Sequence, residues 1–368
     1  MNSFQKEKAL ELLDDLEKAG INAVSLFPGA NMTYYTGFKI GLSERLAAAV
    51  LPVEGDPWFV VNELEAELRG QDPWFRDVAI WREYEDPITI LSETLQDRGL
   101  DTATLGLPLE APWSWANRLY SELPDAEFVD ASENLHRLRM IKDDQEIEWI
   151  RMACVIADKS MEAGFGEIYT GMSEKEVGIL TSEMNQLGAG STFCSVLFSE
   201  RAALPHGSPS SRELRVGDSI LVDMGATVHG YWSDLTRTVF YGVVEDNHKK
   251  LFNVVRDANR VAFEKISPGV TAESVDLAAR QVIQEAGYGD KFIHRLGHGI
   301  GLEVHERPYI VRNNKLELEP GMVFSDEPGI YLMGDIGIRV EDTVVCTREG
   351  AADLTKFNRE LKVYPSKD

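Results

Sequence analysis

The chain has 368 residues, 43% apolar and 9% aromatic, which is enough for sizeable cores and, at roughly 150 residues each, for two domains. Its formal net charge of −24 argues against nucleic acid as a partner, and no apolar run approaches the ~18 residues of a membrane span. Cys154, Cys194 and Cys346 have no paired spacing, which indicates neither a disulfide framework nor a thiolate metal site and predicts a reducing, cytoplasmic setting.

Residues 4–18 are charged and periodic and predict an amphipathic helix, with no apolar core of a signal peptide. Residues 21–27 read as a strand, closed by Pro28 and Gly29. Two further strands, 47–52 and 58–61, flank a turn at Gly55. Helical periodicity returns at 88–98 and 114–122, on either side of a strand at 104–107. This alternation predicts an α/β first domain. It holds no dense group of His and acidic residues, so its expected role is structural or gating. His136, near its end, reads as structural.

A long helical pattern then covers 144–163. Gly171 turns the chain, Ser173 and Glu176 have capping-box spacing, and a second helix is expected to reach Leu187. Further on, a helix is expected over 249–266, then a turn at Pro268 and Gly269, a cap at Thr271 and a helix to Ala286. Each half is followed by strand-like segments bearing acids. The second domain therefore reads as an antiparallel sheet covered by helices and built from two similar halves.

The acids fall in a pattern. Residues 221–237, LVDMGATVHGYWSDLTR, hold an apolar run ending in Asp223 and a turn from Gly225 to Gly230. A second run follows, with Asp234, Thr236 and Thr238 in alternation. As a hairpin this sets two carboxylates on adjacent strands. Such a pair repels unless a cation is shared; otherwise one Asp is an ordinary turn residue. Residues 318–329, LEPGMVFSDEPG, repeat 214–225, LRVGDSILVDMG: Gly321 falls on Gly217, Glu327 on Asp223 and Gly329 on Gly225. Glu341 then falls on Asp234 and Thr343 on Thr236. Two such hairpins facing across a pseudo-two-fold axis would focus four carboxylates on one point, an arrangement that suits two cations. Between the copies lies HRLGHGIGLEVH, residues 294–305, which can add an imidazole. Its glycines predict an extended segment where backbone approaches the site. One imidazole among four carboxylates favours manganese or another borderline ion.

In this order and context, Asp223, Asp234, His298, Glu327 and Glu341 resemble the five ligands of the pita-bread metallopeptidases. That group includes methionine aminopeptidase, aminopeptidase P and prolidase. Residues 1–135, with NMTYYTGF at 31–38, are similar to the creatinase-like N-terminal domain of prolidase and aminopeptidase P, which methionine aminopeptidases lack. The resemblance implies an α/β N-terminal domain over 1–135. Over 136–368 it implies an α+β pita-bread catalytic domain with a pseudo-two-fold internal repeat. It also implies two divalent metal ions: Mn first, with Co or Zn as alternatives. Asp223 would chelate one ion, Asp234 and Glu341 would bridge, and His298 and Glu327 would complete the second. Glu327 would also serve as general base.

By the same resemblance, His206, His294 and His305 would surround the substrate, and Arg339 would orient the carboxylates. Asp326 and Asp342 would point to the other face of their strands, and His229 and His248 would be surface residues. The implied substrates are small peptides with proline at the second position, and the implied assembly is a homodimer. Several prolidases carry an Arg directly after the Pro of an HExP segment. Here Tyr309 follows Pro308, with Arg307 and Arg312 nearby. The implied activity is that of an Xaa-Pro dipeptidase, although in those prolidases the Arg receives the substrate carboxylate, so the departure leaves the restriction to dipeptides open. Aminopeptidase P-like action on longer peptides, or a non-peptidase hydrolase or lyase on the same fold, stands as the alternative.

Overall fold

A computed structural model describes residues 3–66, 74–186, 188–204 and 207–367. The chain divides into two compact units, Met1–Arg139 and Met140–Asp368. Among the described residues no helix is long and apolar enough to cross a membrane.

The first unit is α/β. Its elements are α1 (Ser3–Lys18), β1 (Ala23–Leu26), α2 (Ala30–Thr36), β2 (Ala48–Pro52), β3 (Trp58–Asn62), β4 (Asp77–Trp81), α3 (Pro87–Gln96), β5 (Thr104–Leu107), α4 (Trp113–Glu122), β6 (Glu127–Asp130) and α5 (Ser132–Met140). The sheet order is β4-β3-β2-β1-β5-β6. Its central strands are wholly buried, and Ile88, Leu91 and Leu95 of α3 and Leu119 of α4 pack on them. Each such side chain contributes ~1.5–3 kcal/mol by leaving water. Asp86 starts α3 by accepting the Ile88 N–H at 3.1 Å, with Pro87 at the first helical position. The strands β4 and β6 were not expected. They are the two sheet edges, and exposed positions interrupt their apolar pattern.

The second unit is built twice. Helices α6 (Asp144–Gly166) and α7 (Glu174–Gln186) precede β7 (Thr192–Phe198), β8 (Ser219–Val228), β9 (Tyr231–Trp232) and β10 (Leu235–Tyr241). Helices α8 (Asp246–Lys265) and α9 (Ala272–Glu285) precede β11 (Gly297–Gly299), β12 (Glu306–Ile310), β13 (Val323–Asp326), β14 (Gly329–Leu332), β15 (Ile336–Arg339), β16 (Asp342–Thr347) and β17 (Gly350–Asp353). A last strand, β18 (Val363–Tyr364), returns to β10. Leu187, the expected end of α7, lies outside the described residues. Asp143 starts α6 with a full capping box to Glu146. The two sheets are ordered β18-β10-β8-β7 and β12-β11-β13-β16-β17. Ala157, Met161 and Val177 cover the first from α6 and α7. Val255, Ala258, Val275 and Ala279 cover the second from α8 and α9.

Two details of the expected hairpins change. No turn runs from Gly225 to Gly230: β8 continues to Val228 and reverses at His229 and Gly230, both at positive φ (52° and 88°). Nor is the second copy a simple hairpin. β14 and β15 form a separate ribbon at its end, beyond Pro328 and before Glu341. Register differs too. Asp223 pairs with Thr236, whereas Ser325, not Glu327, pairs with Thr343. A slip of two residues preserves the face on which each side chain lies, so the repeat survives it.

Candidate metal centre

The two copies meet edge to edge. Glu341 N–H donates to the Thr236 carbonyl at 3.0 Å, and Asp234 N–H donates to Thr343 Oγ1 at 3.1 Å. These contacts exchange equivalent positions, as a pseudo-two-fold axis requires. Alternation then selects the side chains. Ile220, Val222 and Met224 of β8 turn to the helices, so Asp223 faces away from them. Phe324 of β13 turns to α8 and α9, so Ser325 faces the site. β11 brings His298 between β12 and β13. Here glycine is required by contact: a Cβ on Gly297 would lie 1.8 Å from the Ser325 carbonyl oxygen, and one on Gly299 2.1 Å from that of Arg307.

Asp234, His298 and Glu341 each offer a donor atom, all within 4.8 Å of one another, and all three residues are buried. His298 Nε2 lies 3.3 Å from Glu327 Oε1 and 3.7 Å from Asp234 Oδ2. Its Nδ1 lies 3.1 Å from the Gly299 carbonyl oxygen, an acceptor only. With a proton on Nδ1, Nε2 can offer its lone pair to an ion held among the carboxylates. Ser325 ties the pieces together: its hydroxyl accepts the His298 N–H at 3.0 Å and donates to Glu327 at 3.2 Å. Arg339 ion-pairs with Asp223 and lies 3.7 Å from Glu341. It also donates to Thr236 Oγ1 at 3.0 Å and to the Tyr331 hydroxyl at 3.3 Å. The Thr236 hydroxyl in turn donates to Glu341.

The charges do not balance within the chain. Burial, reinforced by Glu341, Asp223 and Glu327, pushes the Asp234 carboxyl well above its ordinary range. Burial and Glu327 do the same to Glu341. Burial also raises Asp223, although Arg339 opposes it. Glu327 goes the other way: burial is outweighed by His298, His294 and Arg339, which bring it down to about 2. Asp234 Oδ1 is buried without a hydrogen-bond partner. An orphaned carboxylate oxygen, a lone-pair imidazole nitrogen and crowded buried carboxylates together fit divalent cations.

The remaining predicted residues fall as follows. His294 Nδ1 lies 2.7 Å from its neighbour's carbonyl oxygen at Arg295, and Nε2 lies 2.9 Å from the Tyr331 hydroxyl. Burial lowers its pKa, against the pull of Glu327. The His305 ring stands 4.2 Å from that of His298, edge to face, on the exposed side. His206 lies outside the described residues. Asp326 and Asp342 pair with each other on the far face, away from the cluster. His229 stacks near Trp149, with ring centroids 5.1 Å apart, and His248 lies 3.2 Å from Asp335. Sequence reasoning gave no site role to Ser325, Thr236 or Tyr331. A single hydroxyl residue carries no periodic signal, and only tertiary structure reveals what it touches.

Residues 148–348 match the metallopeptidase family M24, and residues 10–141 match the creatinase/prolidase N-terminal domain. The chain belongs to metallopeptidase family M24. An Xaa-Pro dipeptidase of Lactobacillus helveticus is 36% identical over 344 residues, covering 92% of this chain and 93% of that one. Two solved structures superpose along nearly the whole chain. Prolidase from Thermococcus sibiricus has a TM-score of 0.93 at 33% identity, covering 99% of this chain and 100% of that one. An X-Pro aminopeptidase from Thermotoga maritima has a TM-score of 0.86 at 32% identity, covering 97% and 99%. The pita-bread fold and the creatinase-like first domain expected from the motifs agree with these matches, and M24 membership makes the protein a metal-dependent peptidase.

Proposed function

We propose that the protein is an Xaa-Pro dipeptidase that hydrolyses the bond between an N-terminal residue and proline, using two divalent ions. The observation that carries this reading is the convergence of Asp234, His298 and Glu341, with Asp223 and Glu327 beside them and one buried oxygen left unpartnered. Asp223 would hold one ion, Asp234 and Glu341 both, and His298 with Glu327 the other. The oxygen-rich set favours Mn²⁺, with Co²⁺ or Zn²⁺ as alternatives. When bound, such a pair lowers the pKa of a coordinated water toward ~7 and polarises the carbonyl under attack.

The chain's own groups divide the remaining work. Arg339 fixes Asp223 and, through Thr236, the orientation of Glu341. Glu327, 3.3 Å from His298 Nε2 and held by the Ser325 hydroxyl, is the carboxylate placed to accept the proton released on attack. His305, beside His298 and open to the site's exposed side, donates to the carbonyl oxygen as charge develops there. His294 and His206 are the further candidates for contact with the peptide. A cytoplasmic location is supported by three free cysteines. A homodimer belongs to the same reading, and light scattering at working concentration tests it.

The panel that tests the proposal is Ala-Pro, Gly-Pro, Ala-Ala and Ala-Pro-Gly, assayed with Mn²⁺, Co²⁺ or Zn²⁺ and with chelator. Metal-dependent cleavage of the Xaa-Pro dipeptides is expected; none with any ion would overturn it. The likeness to the X-Pro aminopeptidase supports a second reading, action on longer peptides, and faster cleavage of Ala-Pro-Gly than of Ala-Pro would favour it.

A further inference from the structure

Lys142 and Glu306 form an ion pair outside the metal cluster. Lys142 Nζ lies 2.8 Å from Glu306 Oε1, and the two side chains are 1% and 6% exposed. Taking both charges out of water is costly, and an apolar pair of similar volume would serve stability as well or better. What a buried ion pair adds is direction, and its two ends show what it directs.

At one end Lys142 is fixed by its own backbone. Its N–H donates to the Gly321 carbonyl at 2.9 Å, and Ile141 bridges Met322. Gly321 and Met322 lead directly into β13, which carries Ser325 and ends one residue before Glu327. At the other end Glu306 opens β12 and follows His305 directly. Its carboxylate fills the inside of the loop between β11 and β12. A Cβ on Gly301 would stand 2.5 Å from Oε1, and the Glu303 N–H faces Oε2 from 3.4 Å. The loop therefore turns around an anion.

Backbone pairing leaves the far end of this loop loosely specified. The register jumps from His298 opposite Tyr309 to Gly299 opposite Glu306, so Arg307 and Pro308 stand outside the ladder. The first loop residues are held: the Ile300 N–H donates to the Val323 carbonyl at 3.1 Å, and the Gly301 carbonyl accepts the Trp232 N–H at 2.8 Å. His305 comes after both and is exposed, with its ring 4.2 Å from that of His298.

We propose that the buried Lys142–Glu306 pair positions His305: it ties the loop that carries this histidine to the backbone that leads into β13, and so sets where the ring stands relative to the metal residues. The proposal rests on the role given to His305 above and extends it to two residues outside the cluster.

The test uses metal-loaded protein and Ala-Pro. Glu306→Gln and the apolar double variant Lys142→Met/Glu306→Leu are each made alone and together with His305→Ala. Leu251→Ala, in the core beneath α8, controls for lost stability. The double variant removes the pair without stranding a buried charge. It should keep its metal and a KM within a few-fold of wild type, and lose roughly 10- to 100-fold in kcat, since a displacement of about 1 Å can cost that much. Glu306→Gln, which keeps the shape and loses the charge, should fall in the same direction by a smaller factor. In the His305→Ala background either change should cost no more than about two-fold, because both act through one group. Leu251→Ala should keep the wild-type kcat. A wild-type kcat in the double variant, or a loss that multiplies with that of His305→Ala, overturns the proposal. Crystal structures of the metal-loaded wild type and double variant read the same point without turnover. The His305 ring should move away from His298 while His298 and Glu327 stay, and an unmoved ring overturns the proposal. If the wild type cleaves no Xaa-Pro bond, or His305→Ala costs no activity, the reading of function or of His305 falls, and the ring position alone decides the positioning.

Discussion

The two acid-bearing ribbons agree on one face and differ on the other. On the site face both supply carboxylates, Asp223 and Asp234 from one and Glu327 and Glu341 from the other, with threonines at matched places. On the far face the first ribbon pairs Met224 with Leu235, both buried against α6 and α7. The second pairs Asp326 with Asp342, each 1% exposed. Arg237, from the first ribbon, crosses to Asp342 at 2.7 Å and donates to the Glu341 carbonyl. Arg359 and Thr355 also bond Asp342. Burial raises Asp342, but Arg237 and Arg359 outweigh it and hold it below the ordinary range. Among the described residues the Asp326 carboxylate oxygens have no hydrogen-bond partner, and burial reinforced by Asp342 pushes its pKa well above the ordinary range. The difference teaches what constrains a duplicated fold. Both halves must aim at one point, so their facing sides stay alike. Behind that point both ribbons pack apolar side chains on their helices, and the second adds the Asp342 ion pair with Arg237 as a further tie between the halves.

The likeness of the site faces is broken most severely by removing a carboxylate from either ribbon. Asp234→Asn and Glu341→Gln should each lower bound metal and bring turnover close to background. Full metal occupancy and near wild-type rates in both variants would end the two-ion assignment. A gentler cut separates ligand from donor. His305→Ala should keep its metal and lose roughly 10²–10³ in kcat, whereas His298→Ala should lose metal and activity together. The reverse pattern of metal content would mean that the strand β11 has been assigned wrongly.

The unlike faces are probed by stability. Arg237→Met leaves Asp342 short of a partner, and chemical denaturation should register a loss of about 3–5 kcal/mol. Val344, three residues after Glu341 as Arg237 is three after Asp234, is an apolar core residue. Val344→Ala should cost only about 2 kcal/mol, from lost transfer and a small cavity. Equal costs would erase the contrast.

The smallest effect lies at the helix starts. Glu146, in the capping box of α6, is buried and accepts the Tyr231 hydroxyl at 2.8 Å. Burial pushes its pKa from 4.5 up to about 7, despite bonds from Asp143 N–H and Tyr231 and the charge of Lys142. The folded state therefore binds this proton more tightly than the unfolded chain. Stability should rise as pH falls from about 7 towards 4.5, and the ionised group should cost most above 7. Glu146→Gln should flatten that slope and be the more stable form at pH 8. At the start of α8 the corresponding residues, Glu245 and His248, are not buried, so Glu245→Gln should leave the slope unchanged. An unchanged slope in Glu146→Gln would show that the carboxyl is ionised in the folded protein at neutral pH.

Much of this was legible because it is periodic. Asp223 closes a short apolar run, Glu327 sits at the same place in a second run, and the helices of both halves announce themselves by cap and stripe. The edge strands β4 and β6 escaped because exposure on one side breaks the apolar run. The two-residue register slip escaped because alternation fixes a face and says nothing about which pair of residues stand opposite. The contacts of Ser325 and Tyr331 depend on strands brought together in space, where local pattern is silent.

The contact of Gly297 and Gly299 with neighbouring backbone has a consequence for how this segment can vary. Their missing Cβ atoms would overlap carbonyl oxygens at 1.8 and 2.1 Å, and backbone atoms in a three-strand ladder cannot step aside as a flexible side chain can. Evolution therefore has no neighbouring sequence to try at either position: every single substitution must first prise β12 or β13 away from the strand that carries His298. A library randomised at 297 and 299 and selected for folded protein should return glycine at both, while Leu302, which packs against the side chains of an apolar cluster, accepts other apolar residues.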